Sequence, residues 1–427
     1  MSDVSERMRT DWNQRAREDA HYYVAFGGRN QDEDGFLATA SQVVTSLEWE
    51  LKRLPREANR RSWRALEIGC GPGRLLKPMS RHFGEIHGVD VSDEMIALAR
   101  QRLQSIPHAH AHATNGASLA LFADESFELV YSYAVFQHVP SRDVVFEYMR
   151  ETQRVLKPGG IFWAQFNGLS PTDQPDTWHG ISFSAQDIRD FTSANGLQLL
   201  ALEGVHTQYM WTTWRKPAPG DAPEPSGQTA LRRITNAATS EPLAPQSGPF
   251  AALSIMVQHL PPAGDLNSLE VVIDSRSATL VFIGPPDGGL QQVNVMLPEG
   301  TRSGLVPVEL RYRGATLCPP AYVRVIPTGP PVPRVLAVTD GIHIVEENRT
   351  RSGIVKVQLQ EVLHSELIAA DIDGVPVKNL EVFRTDPLYP RHEVNFQIPD
   401  GLVPGRHELR IHIGRRLLMP RELTVVS

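Results

Sequence analysis

Ala65-Leu66-Glu67-Ile68-Gly69-Cys70-Gly71-Pro72-Gly73 decides how the first half of this chain folds. A short apolar run carrying one carboxylate, Glu67, meets glycines at 69, 71 and 73. Glycine is required where backbone must turn sharply from strand into helix and approach a ligand closely. The N–H groups of such a turn, with the helix N-terminus that follows, favour an anionic group such as a carboxylate. Dinucleotide-binding loops usually read G-x-G-x-x-G. Here the spacing is G-x-G-x-G, with Glu67 two residues upstream.

Outward from this loop the pattern continues. Ile86-His87-Gly88-Val89-Asp90 reads as a second strand ending in a carboxylate, placed to accept both hydroxyls of a ribose. Ser92-Asp93-Glu94-Met95 opens a helix, and Thr114-Asn115-Gly116 follows a third strand. Asp124–Ser132 leads into a fourth strand, followed by Phe136-Gln137-His138-Val139-Pro140. Arg154-Val155-Leu156-Lys157-Pro158-Gly159-Gly160 reads as the turn before a fifth, Ile161–Phe166. Helical stripes precede the loop, at Trp12, Ala16, Ala20 and Tyr23 and again from Phe36 to Leu51. Ser184–Asp187 looks like a helix start, with Gly196 as its stop. Strands separated by helices argue for an α/β fold with a doubly wound parallel sheet.

Together these features resemble the class I S-adenosylmethionine-dependent methyltransferases of the small-molecule, type 11 group. The resemblance covers about Arg64 to Gly168 and extends loosely to Arg215. It implies a Rossmann-like seven-stranded sheet in the order 3-2-1-4-5-7-6, with Leu197–Glu203 and Val205–Trp214 as the last antiparallel pair. It also implies S-adenosylmethionine as cofactor. Glu67, Gly69, Gly71 and Gly73 would cradle the methionine end, Asp90 the ribose, and Met95, Asn115 and Gly116 the adenine. Asn115 stands where the family usually has Asp. His138, just after strand four, lies at the sheet edge where open α/β folds bind ligands and is the candidate base. In the family a His at this position also serves to orient the loop or the cofactor. Tyr22 and Tyr23 could close as a lid, while Tyr133, Trp178, His179 and Tyr209 fall where an acceptor pocket forms. For each of these aromatic and His residues ordinary packing is the competing explanation. In methyl transfer the cofactor carries the reactivity, and a base is needed only if the acceptor must lose a proton.

After residue 215 the grammar changes. Residues 216–248 are dense in proline, which removes backbone donors, and read as a linker. Beyond them short alternating runs dominate: Glu270–Ile273, Val293–Met296, Val306–Tyr312 and Ala321–Ile326. Val293-Asn294-x-x-x-Pro298-Glu299-Gly300 is echoed by Val394-Asn395-x-x-x-Pro399-Asp400-Gly401, and Glu309-Leu310-Arg311 by Glu408-Leu409-Arg410. A repeat of about 100 residues built of short strands suits two tandem β-sandwiches. They resemble TIG-type immunoglobulin-like modules. The expected division is a methyltransferase domain over 1–215 with an N-terminal helical lid, a linker over 216–248, and sandwiches over 249–332 and 333–427.

The bulk properties bound the partners. With 427 residues, two or three domains are expected. A net charge of −7 gives no reason to expect a nucleic acid partner. Two cysteines, Cys70 and Cys318, exclude a disulfide framework. The polar N-terminus and the lack of a long apolar run point to a soluble, cytoplasmic protein without a membrane partner. His108, His110 and His112 share one face of a short strand, but three His along a strand span about 13 Å, too far to converge on one ion. No metal is expected. The chain therefore reads as an enzyme acting on a small-molecule or carrier-borne methyl acceptor, its sandwiches recruiting a protein partner or mediating self-association. Two rivals remain: a non-catalytic S-adenosylmethionine-binding sensor or scaffold, and an NAD(P)-dependent oxidoreductase on the same kind of sheet.

Overall fold

The computed structural model describes residues 2–25, 31–54, 60–170, 175–219, 221, 227–248, 250–329, 332–342, 347–386 and 391–426. It divides into two units, one running through Pro327 and the other from Thr328 onwards. Parts of the stretches 53–64 and 216–229 fall outside the described residues.

In the first unit helices α1 (Ser2–Ala25), α2 (Glu33–Ala38) and α3 (Ser41–Glu50) precede the sheet. Strands β1 (Arg64–Ile68), β2 (Glu85–Asp90), β3 (Ala109–Ala113), β4 (Phe127–Ser132), β5 (Leu156–Phe166), β6 (Gln198–Glu203) and β7 (Met210–Arg215) then pair in the order 3-2-1-4-5-7-6. β1 to β5 run parallel, and β7 runs antiparallel to both β5 and β6. Helices α4 (Leu76–Met79), α5 (Asp93–Arg102), α6 (Arg142–Val155) and α7 (Ala185–Ala194) cover its faces. Alternate residues of β1 show why both faces need cover. Leu66 and Ile68 join the core under α6 and α7, while Ala65 joins the one under α3, α4 and α5. On α6 the apolar positions Val144, Val145, Tyr148, Met149 and Val155 recur at helical spacing and are buried. α7 starts at the expected capping box, where Asp187 N–H donates to Ser184 Oγ at 3.2 Å and Ser184 N–H to Asp187 Oδ2 at 2.8 Å.

Four details depart from the sequence reading. α1 is broken at Asp19 (φ −171°, ψ 89°), whose carboxylate accepts from Tyr22 N–H at 3.0 Å and so starts a second helical segment. No turn separates α6 from β5, because Leu156 already pairs with Phe127 and Gly159 (φ +83°) is absorbed as an irregularity in the strand. The last hairpin is shorter than expected, with Gly204–Tyr209 forming its turn. Finally, the supposed linker contains two strands, β8 (Ala230–Asn236) and β9 (Leu243–Pro245). Proline is tolerated in β9 because it is an edge strand, paired on one side only.

β8 and β9 begin the first sandwich, completed by β10 (Ala252–Gln258), β11 (Leu269–Ile273), β12 (Arg276–Ile283), β13 (Leu290–Met296), β14 (Gly304–Tyr312), β15 (Ala315–Thr316) and β16 (Ala321–Ile326). This sandwich is fused to the methyltransferase-type sheet. Ala201 of β6 pairs with Phe282 of β12, Leu266 N–H donates to Leu199 O at 2.8 Å, and Leu199 N–H donates to Asp265 Oδ2 at 3.2 Å. From α7, Arg189 donates to Leu266 O at 2.8 Å and Asn267 Oδ1 at 3.0 Å. One apolar core runs from α6 and α7 through β6 into Val271, Leu280 and Val293.

The second unit repeats the plan about 100 residues along the chain. Strands 334–340, 354–360, 391–397 and 378–386 form one sheet, and 349–350, 421–425, 405–413, 368–372 and 375–376 form the other. Val355, Val357 and Leu359 of the first sheet share a core with Ile372, Leu409, Ile411 and Leu423 of the second. His407 faces two acceptors, Asp373 Oδ2 at 2.7 Å and Val403 O at 2.8 Å, so only the imidazolium satisfies both. Asp373 accordingly raises its pKa. With the folded pKa above the unfolded value, this contribution is complete below about pH 6 and is lost as pH rises through the folded pKa. His407→Gln should therefore lower the melting temperature of this unit at pH 5.5 more than at pH 8.5, as read by calorimetry.

Candidate active site

The glycine loop sits between β1 and α4. Gly69, Gly71 and Gly73 have φ of +71°, +50° and +84°, a region costly for side-chain-bearing residues. At Gly69 space is also decisive, since an added Cβ would lie 2.2 Å from Val135 Cγ2 in the loop after β4. Gly69→Ala should therefore destabilise the fold by about 2 kcal/mol or more and abolish cofactor-product binding, measured by urea titration and calorimetry. The loop is tied to β2 by Gly69 and Cys70 N–H groups donating to Val89 O at 2.8 and 3.0 Å.

Asp90 spans two elements. Its Oδ2 accepts from Gly71 N–H and its Oδ1 from Ser92 N–H, each at 2.9 Å, fixing the carboxylate at the mouth of the loop. Burial pushes its pKa up, and these hydrogen bonds oppose the rise. Glu67 is buried beneath the loop, where Tyr131 OH donates to Oε2 at 3.0 Å. Burial pushes this carboxyl up to about 8, with Tyr131 and the Arg74 charge acting in the other direction. Met95 is buried in the first turn of α5. Asn115 Oδ1 accepts from Ala117 and Ser118 N–H at 3.1 and 3.0 Å. Its oxygen is thus engaged by its own turn, and the side chain's donor capacity lies in Nδ2. Gly116 (φ +75°) closes this turn against Val91 and Met8. A cleft of about 640 Å³ opens beside it, lined by Ser5, Arg9, Asn115, Ser118 and Glu147 among others.

The acceptor-side candidates separate into two groups. Tyr22 and Tyr23, at the end of α1, come together with His138 and Trp178: Tyr23 meets Trp178 edge-on at 5.8 Å and Tyr22 at 5.2 Å, and Trp178 lies 5.5 Å from His138. Tyr133 instead stacks on Trp211 at 5.6 Å, with the buried Arg74 guanidinium over its ring at 5.3 Å. Tyr209 is on the surface of the β6–β7 turn, and His179 is exposed with its N–H on Asp176.

His138 is held from both sides. Its Nδ1–H donates to Trp178 O at 2.8 Å, and Gln137 Nε2 donates to its Nε2 at 3.1 Å. Burial, reinforced by the nearby Arg15 charge, pushes its pKa down to about 4, so the ring is neutral near pH 7. Gln165, fully buried at the end of β5, extends the network to Gln137 Oε1 at 3.0 Å, Gln208 O at 2.7 Å and Ala134 N–H at 3.1 Å. Neither Gln165 nor Gln137 stands out in the sequence, because their partners lie on separate loops. Trp12 and Arg15 likewise carry no mark linking them to Trp178, more than 160 residues away.

The histidine face of β3 also differs from its sequence outline. His108 turns to Ser80 O at 3.1 Å, and His87 of β2 joins His110 and His112 instead, with His87 Nδ1 3.1 Å from His112 Nε2. Burial pushes His87 down to about 4. No group of three His, Cys, Asp or Glu able to hold a metal occurs among the described residues.

The sheet order and the glycine loop with its acidic strand ends define a Rossmann-like domain of the methyltransferase class. Residues 66–164 match the family model described as a methyltransferase domain. The N-terminal part of the chain thus carries a methyltransferase domain of the S-adenosylmethionine-dependent kind. Phosphoethanolamine N-methyltransferase 2 of Caenorhabditis elegans is 31% identical over 113 residues, covering 26% of this chain and 25% of its own. A ubiquinone biosynthesis O-methyltransferase of Brucella anthropi is 36% identical over 101 residues, covering 23% and 39%. Among solved structures, magnesium protoporphyrin IX methyltransferase from Synechocystis PCC 6803 aligns at 15% identity and TM-score 0.37, covering 50% of this chain and 97% of that one. The chain spans between 25% and 43% of the lengths of the curated relatives it matches. Among the described residues no helix is long and apolar enough to cross a membrane.

Proposed function

We propose that the protein transfers a methyl group from S-adenosylmethionine to a small-molecule or carrier-borne acceptor, releasing S-adenosylhomocysteine. The observation that carries this reading is the glycine loop, three positive-φ glycines with the Asp90 carboxylate fixed at their mouth, within a matched methyltransferase domain. Bound S-adenosylmethionine supplies an electrophilic methyl group for in-line displacement. Loop N–H groups of Gly69–Gly73 would face its carboxylate and Asp90 its ribose, and Glu67 would support the loop from below. Met95 and Gly116 would flank the adenine, and Asn115 would offer it an amide N–H, since the Oδ1 atom is engaged.

Of the two roles open to His138, its surroundings support orientation of the loop. A neutral ring of pKa about 4, bonded on both nitrogens, is a weak proton acceptor that positions Trp178 well. Tyr22, Tyr23 and Trp178 would enclose the acceptor, with Tyr133, His179 and Tyr209 further out. The proposed division keeps a methyltransferase domain over 1–215 and a second sandwich over 333–427, and moves the start of the first sandwich from 249 back to 230. The sandwiches would recruit a partner or mediate self-association.

Calorimetric titration of the full-length protein with S-adenosylhomocysteine and with NAD tests the donor. Micromolar binding of the first alone is expected; binding of NAD alone would overturn the reading. An acceptor screen that yields no product despite cofactor binding would favour a sensor or scaffold.

A further inference from the structure

Arg15 of α1 carries its guanidinium into a box of aromatic rings. The charge lies 4.6 Å from the Trp12 ring centre and 5.0 Å from that of Trp178, within the range of cation–π attraction for both. Trp12 also meets His138 edge-on at 5.4 Å. The guanidinium donates to Thr177 O at 2.9 Å and Thr177 Oγ1 at 3.0 Å, and Thr177 Oγ1 donates to Asp11 at 2.6 Å. Burial lowers the Arg15 pKa, and the nearby charges of Asp11, Asp176 and Glu18 act against that fall. Two indole rings, with Asp11 reached through Thr177, make a receptor for a cation, and the cation it holds comes from α1 itself.

The placement matters more than the contact. Trp178 and His138 belong to the loops after β5 and β4, at the sheet edge assigned to the acceptor. Trp12 and Arg15 belong to α1, which covers that edge. We propose that the Trp12–Trp178 box is a binding subsite for an alkylated ammonium group on the acceptor, and that Arg15 occupies it as an internal competitor until such a ligand displaces it. The proposal rests on the acceptor-side reading, and it adds a ligand class that the cofactor loop does not specify. An ordinary surface latch would not need two indoles, since Arg15 already has its hydrogen bonds to Thr177.

The test uses the full-length protein, following tryptophan fluorescence on titration with choline, with tetramethylammonium, and with 3,3-dimethylbutanol as the uncharged isostere of choline. Arg15→Ala should bind choline and tetramethylammonium about tenfold more tightly than the unmodified protein, with little response to the alcohol. Adding Trp178→Leu to Arg15→Ala should remove at least that gain. Arg15→Gln, which retains hydrogen-bonding capacity toward Thr177, should show the same direction of change if Arg15→Ala loses its fold by circular dichroism. Equal binding of choline and its isostere in the Arg15 variants, or affinity unaffected by Trp178→Leu, would overturn the proposal and leave Arg15 as a structural latch. S-adenosylhomocysteine titrated into the same samples separates the two readings. Its failure to bind would sink the methyltransferase assignment, whatever choline does.

Discussion

A chain ending at Arg215 should aggregate or melt at least about 10 °C below one ending at Pro327, although it retains every strand of the methyltransferase sheet. The cause is β6. In most of its length this strand has β7 on one side and would otherwise be an open edge on the other. The first sandwich covers that edge through Ala201–Phe282, Leu266–Leu199 and the Asp265 carboxylate on Leu199 N–H. Removing it leaves an apolar strand, Gln198-Leu199-Leu200-Ala201-Leu202, with unpaired backbone groups, which is a template for pairing between chains. Arg189 also loses Leu266 O and Asn267, each such bond contributing about 1 kcal/mol. Thermal melting and light scattering of the two truncations measure the difference. Matching melting temperatures, both monomeric, would show that β6 needs no cover.

Glu67→Gln should stabilise the protein in a pH-dependent way while weakening its hold on S-adenosylhomocysteine. Glu67 titrates near 8 in the fold, above its ordinary value of 4.5. Below about pH 4.5 the carboxyl is protonated both folded and unfolded, and the substitution changes little. Between about 4.5 and 8 the unfolded chain ionises while the folded one holds its proton, so native stability falls as pH rises. Above about 8 the loss is complete. Each pKa unit corresponds to about 1.4 kcal/mol, so the penalty relieved by Gln reaches on the order of 3–5 kcal/mol at its plateau. Gln retains an acceptor for Tyr131 OH, which isolates the charge from the hydrogen bond. Urea unfolding at pH 5, 7 and 9 reads the trend. An advantage of Gln that is independent of pH would show that Glu67 is not held protonated.

The sheet was legible because each of its elements is local. Ala65–Gly73, Ser184–Asp187 and the apolar runs declare themselves within a few residues, and sheet order follows from the class they resemble. The same holds for the repeat, whose Pro-acidic-Gly turns recur with the strands around them. Proline density at 216–248 concealed β8 and β9, since an edge strand tolerates the residue that a central strand forbids. The pairing of β6 with β12 joins strands about 80 residues apart, with no sequence mark at Ala201 or Phe282. At the site, residue types at strand ends were readable but their partners were not. Asn115 turned its oxygen to its own loop, and His138 accepts from Gln137 and donates to a carbonyl 40 residues later.

The short parallel pairs of the two sandwiches have a mechanical consequence. β9 joins β16 over Leu243–Pro245, and Arg349–Thr350 joins Thr424–Val425, so each module binds an early strand alongside its last one, pointing the same way. Tension drawing the ends of a module apart therefore slides these strands along each other and strains their hydrogen bonds together. Antiparallel neighbours pulled from one end would instead lose their bonds singly, in sequence.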